Sequence, residues 1–225
     1  MTELRFTVLG SEVQRYAAVP TLDLRVRLDE VSGAAVHAIA LRCQVRIEPQ
    51  RRRYSADEED RLEELFGTAP RWGDTLRPFA WTHVSTTVGR FTGSIEIDLP
   101  LPCSYDFEVT GAKYLHALGD GEVPLLLLFN GTTFTAGDGS GGLHVEPIAW
   151  HAEATHRLPV RTWRDLMDHY FPNSGWVRLP RETIDALQRF KVDRALATWE
   201  QAVEALLEGA ETPWASTPAP QARSG

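Results

Sequence analysis

The sequence predicts a mainly β fold: an antiparallel β-sandwich, or a partly open barrel, with a C-terminal helical appendage of two to three helices. Three observations predict it. Ile39, Leu41, Cys43, Val45 and Ile47 alternate strictly with Ala40, Arg42, Gln44, Arg46 and Glu48, the period of a strand with one face buried and one in water. Further short segments, most of them with the same one-faced patterning, recur between turn signals as far as residue 159, the mark of stacked or closing antiparallel sheets. Beyond that point the apolar period lengthens to the three-to-four spacing of helices.

Each element has its own signal. Phe6–Leu9 supports a short first strand, and Leu22, Leu24, Val26 and Leu28 alternate with charges in a second. A turn at Asp29–Gly33 leads into the Val36–Glu48 strand, so the two are expected to pair as a hairpin. Ser55 and Glu58 form a capping box that opens a helix with Leu62, Leu65 and Phe66 on its apolar side, and Gly67 stops it. Ala69–Pro78 reads as a loop anchored by Trp72. Strands are expected over Phe79–Val88, over Ile95–Leu99 closed by Pro100 and Pro102, and over Cys103–Val109. Val123–Phe129 is continuously apolar, as in a central strand, and Asn130–Gly131 and Gly137–Gly142 read as turns. Leu143–Trp150 and Ala152–Leu158 complete the sandwich.

The first helix of the appendage places Trp163, Leu166, Met167, Tyr170 and Phe171 on one face, with Thr162 as N-cap and Pro172 as terminator. Pro180 begins a second with Ile184, Leu187 and Phe190. Thr198 opens a third with Trp199, Ala202, Val203, Leu206 and Leu207. The expected organisation is a sandwich over 1–159, a helical segment over 160–209 packed on it, and a disordered tail over 210–225, rich in proline and small residues.

Composition narrows the function. A net charge of −8 argues against nucleic-acid binding, which needs a clustered basic face. The longest apolar run, Leu125–Phe129, is far too short to span a bilayer, and Met1–Gly10 has no signal-peptide core. A cytoplasmic protein is expected, with Cys43 and Cys103 as free, buried thiols on inward strand positions. No catalytic residue and no cofactor is assigned. His144, His151, Glu153 and His156 are the candidates for a metal, but their spacing matches no metal motif and His156 falls on the opposite strand parity from His151 and Glu153. Trp72 and Trp176, in loops bearing glycine or proline, and the basic run Arg51, Arg52 and Arg53 are the partner-facing candidates.

Four phrases also carry a resemblance. Arg42-Cys-Gln-Val-Arg-Ile-Glu-Pro49, Arg71-Trp-Gly-Asp-Thr-Leu-Arg-Pro78, Pro102-Cys-Ser-Tyr-Asp-Phe-Glu108 and Tyr170-Phe-Pro-Asn-Ser-Gly-Trp176 together resemble an uncharacterised bacterial family encoded beside nickel-iron hydrogenase structural and maturation genes. The likeness spans roughly Phe6 to Leu207. It implies a non-enzymatic accessory or assembly role, with hydrogenase subunits or maturation factors as partners, and it brings no catalytic or ligand residues. The alternatives are a small-ligand or metal-binding module built on the histidine-bearing strands and an enzyme of unrecognised chemistry.

Overall fold

A computed structural model describes residues 2–104, 106, 109–136, 142–172, 174 and 177–211. It divides into two units, Met1–Val177 and Arg178–Gly225. Among the described residues the first holds two antiparallel sheets and four α-helices.

The chain opens with β1 (Leu4–Val13) and β2 (Thr21–Glu30), which pair with each other. It then forms β3 (Val36–Ile47), α1 (Ala56–Phe66), the single turn α2 (Trp72–Thr75), β4 (Phe79–Val88) and β5 (Ser94–Pro102). After α3 (Thr110–Ala117) come β6 (Glu122–Ala136), β7 (Leu143–Pro147), β8 (Glu153–Pro159) and α4 (Val160–Tyr170). One sheet has the order β1-β2-β5 and the other β4-β3-β6-β7. β8 also pairs with β6, along the stretch that precedes the β7 pairing.

Alternation decides the core. On β3, Ile39, Leu41, Cys43, Val45 and Ile47 are at most 1% exposed, and on β2, Leu22, Leu24, Val26 and Leu28 are fully buried. Both rows belong to the same core although their strands lie in different sheets, and Phe6 of β1 stacks on Phe129 of β6 at 4.1 Å. β2 and β3 therefore do not form the expected hairpin. Their outward charges do not pair either: Arg25 of β2 reaches Asp98 of β5 at 3.1 Å. The connection between them crosses from one sheet to the other, and the Glu30 carboxylate holds it by accepting hydrogen bonds from the Ser32 amide and hydroxyl.

Three other expectations change. Asn130–Gly131 is no turn: β6 runs straight through it, because Gly131 takes φ +144° where a Cβ would lie 2.0 Å from the Ala40 carbonyl oxygen. The strand expected over Cys103–Val109 does not form at Cys103 and Ser104, with Tyr105, Phe107 and Glu108 outside the described residues, and α3 follows where no helix was expected. α4 begins at Val160, with Pro159 rather than Thr162 at its N-cap.

α4 belongs to the sandwich unit. Val160, Trp163, Leu166 and Met167 are at most 2% exposed, and the helix lies on β1, β2 and β8. Burial of four such side chains contributes roughly 1.5–3 kcal/mol each. Among the described residues the second unit is a helical pair, α5 (Arg181–Asp193) and α6 (Trp199–Glu211), the latter running two residues into the stretch expected to be tail.

Candidate functional site

The four metal candidates do not converge. His144 sits on the exposed edge strand β7, where its Nε2 lies 3.0 Å from Glu146 Oε1. Glu146 Oε2 also accepts from the Thr2 amide at 2.8 Å, and these bonds hold its carboxyl down at about 2. His151, in the turn before β8, meets Trp150 edge to face. His151 and Glu153 line a cavity of about 440 Å3 against Thr2–Phe6. His156 lines a different one with Glu48 and Arg51, and its Nε2 is 3.2 Å from Ser11 Oγ of β1. Burial lowers the His156 pKa, favouring the neutral ring. Among the described residues, no group of three or more His, Cys, Asp or Glu could hold a metal ion. Cys43 and Cys103 are buried and free, and burial pushes both thiols up to about 12.

The basic run separates into unlike neighbours. Arg51 is largely exposed and bridges to Glu48 at 3.0 Å, and Arg53 is exposed. Arg52 departs from the expectation of a partner-facing residue, since its side chain is only 8% exposed. Its guanidinium donates to Glu58 Oε1 at 2.7 Å and to the carbonyls of Asp120 and Glu122, and it lies over the Tyr54 ring. Glu58 is also the N3 residue of the capping box on α1, accepting from the Ser55 amide, and it receives the Gly119 amide at 2.7 Å. Burial alone would raise the Glu58 pKa, but these hydrogen bonds hold it below the usual carboxylate range. Beside it Tyr54 donates to the Pro49 carbonyl at 2.7 Å, so Tyr114 donates the 2.8 Å bond between the two hydroxyls.

Trp72 also turns inward. Its Nε1 donates to the Gly67 carbonyl at 2.7 Å, and its ring meets Tyr54 and Phe66 edge to face. It pins α2 onto the end of α1. Trp176 lies outside the described residues.

A cleft of about 630 Å3 opens between the end of β1 and α4, lined by Glu12, Arg15, Asp165, Asp168 and His169. His169 Nε2 donates to the Arg15 carbonyl at 3.0 Å. This cleft is a mixed-charge surface that also includes the Thr162 hydroxyl.

The helical pair offers a more distinct arrangement. Thr198 Oγ1 accepts from the Gln201 amide, and Gln201 Oε1 accepts from the amides of Ala197 and Thr198, a reciprocal cap that fixes the start of α6. Lys191 of α5 sits 5.7 Å from the centre of the Trp199 ring. Of the α6 residues expected to pack, only Ala202 is buried; Trp199, Val203, Leu206 and Leu207 are 41–60% exposed. The apolar periodicity predicts this face, and the sequence also carries Glu200, Glu204 and Glu208 at a spacing of four.

The profile of a family of unknown function matches residues 1–214. A search of curated proteins finds no match. Among solved structures, the CARDB domain of a Pyrococcus furiosus protein in complex with di-metal ions is similar at 9% identity, covering 70% of this chain and 87% of that one, with a TM-score of 0.27. So distant a likeness carries no argument about function.

Proposed function

The chain belongs to the family of unknown function DUF6084, and we propose that it is a non-enzymatic accessory or assembly protein acting through protein–protein contacts, in association with nickel-iron hydrogenase. One observation carries the mode of action. α6 holds Trp199, Val203, Leu206 and Leu207 on one side and leaves each of them substantially exposed. A soluble surface that shows a continuous apolar stripe on a capped helix is suited to receiving another protein. The hydrogenase association is supported by the resemblance of the four phrases given above, all of which begin in the sandwich unit.

The test is affinity purification of the tagged full chain from its own host, with bound proteins identified by mass spectrometry. Hydrogenase subunits or maturation factors should be enriched over a tag-only control. Their absence, with the bait folded and abundant, would overturn the association.

A further inference from the structure

The stripe on α6 has a charged border on one side only. At about 100° per residue, Trp199, Val203, Leu206 and Leu207 occupy a sector roughly 100° wide. Glu200 and Glu204 fall in the sector immediately beside it. No lysine or arginine lies anywhere in α6. On the opposite border are Ala202, which is buried, and Ala205, which is half-buried. Glu200 and Glu204, four residues apart, repel each other along the helix. That is an arrangement which a cationic surface alongside the stripe relieves.

We infer that α6 docks through Trp199, Val203, Leu206 and Leu207 onto a protein whose apolar groove is edged by lysine or arginine side chains. This rests on the reading that the protein works through protein contacts, and it adds the chemistry of the partner. The same charge pattern disfavours the other occupants. A second copy laid antiparallel on the stripe would set one acidic flank against the other. An anionic lipid surface meets the wrong sign, because interfacial helices that bind such surfaces carry lysine and arginine beside the apolar face.

The probe is a labelled amphipathic helical peptide of about 18 residues, long enough to hold a helix, with a leucine face flanked by lysines. A second peptide keeps the leucine face and carries glutamates instead. Each is titrated by fluorescence anisotropy into the full-length protein. The lysine peptide should bind, more weakly as salt screens the rim, and the glutamate peptide should bind at least about tenfold less well. Glu200→Gln with Glu204→Gln should weaken the lysine peptide about fourfold, each exposed pair being worth about twofold. Leu206→Ser with Leu207→Ser should abolish binding while the thermal midpoint stays put. No binding, equal binding of the two peptides, or charge variants indistinguishable from wild type would overturn the assignment. So would unaltered binding by the serine variant, which would mean that the net charge of −8 alone attracts the peptide. A dimer in sedimentation velocity that the serine variant loses would assign the stripe to a second copy instead. Because no hydrogenase protein is present, this experiment and the co-purification fail independently.

Discussion

Arg52→Ala tests whether the buried ion pair holds the end of the sandwich together. Arg52 and Glu58 are 8% and 7% exposed in their side chains and 2.7 Å apart. Removing the guanidinium leaves a buried carboxylate without its cation and strips donors from the carbonyls of Asp120 and Glu122. Breaking such a pair costs about 3–5 kcal/mol. For a chain of this size each kcal/mol lowers Tm by about 2–4 °C, so a drop of roughly 6–20 °C is expected. Glu58 also sets the pH dependence. Its folded pKa is below the unfolded value, so its contribution is present above the ordinary carboxylate pKa and is lost as pH falls through the folded one. Without Arg52, burial gains ground and the loss begins at higher pH. The assay is urea denaturation across a pH series, with Arg25→Ala as the comparison. Arg25 makes a similar bond to Asp98, but both side chains are about half exposed, at 47% and 51%, and this variant should leave the midpoint within error of wild type. Equal effects from the two variants would refute the claim that burial decides the outcome.

Gly131→Ala should cost about 3 kcal/mol or more, since the new Cβ would meet the Ala40 carbonyl at 2.0 Å in a backbone that side chains rarely adopt; an unchanged denaturation midpoint would contradict the β6 geometry. Cys43 and Cys103 should label slowly with a thiol reagent in the native state and completely in denaturant, and rapid native labelling of both would show that they are accessible. His156 has a depressed folded pKa, so its neutral form favours folding at higher pH and the advantage disappears as pH falls through the unfolded value of about 6.5. His156→Gln should therefore flatten the loss of stability between about pH 7.5 and 5.5, and an unchanged slope would count against it. A fragment ending at Leu158 lacks Val160, Trp163, Leu166 and Met167 and should be insoluble or bind a hydrophobic dye; a soluble, cooperatively unfolding fragment would show that α4 is dispensable to the core.

Most strands are legible because alternation is a local property: β2, β3 and β5 lie where period two puts them. Alternation tells which side of a strand is buried, not which sheet the strand joins, and β2 and β3, which it suggests as a hairpin, lie in different sheets. α3 carried little signal, being eight residues long with Val109 at its N-cap and a glycine in its first turn. Arg52 illustrates a different limit. Nothing in the run Arg51–Arg53 distinguishes the middle residue until the Gly119–Glu122 backbone is brought beside it. For α6 the apolar face was legible, but periodicity names a face and not what covers it.

The pairing of β3 with β6 has a consequence for how the chain is made. Cys43 lies opposite Phe129 and Ile47 opposite Leu125, so one edge of β3 acquires its partner only after most of the sandwich has been synthesised. At about 5–20 residues per second, that wait is roughly 5–20 s. β4 can zip onto β3 earlier, since the two are close in sequence, but the result is a two-stranded ribbon, which is marginal in water. Pairings between distant segments close slowly even once both strands are available. Throughout that interval the nascent chain displays an unpaired edge beside an apolar row, the combination most prone to intermolecular strand pairing. Yield on overexpression should thus depend on temperature and chaperone supply during translation more than on the stability of the finished sandwich.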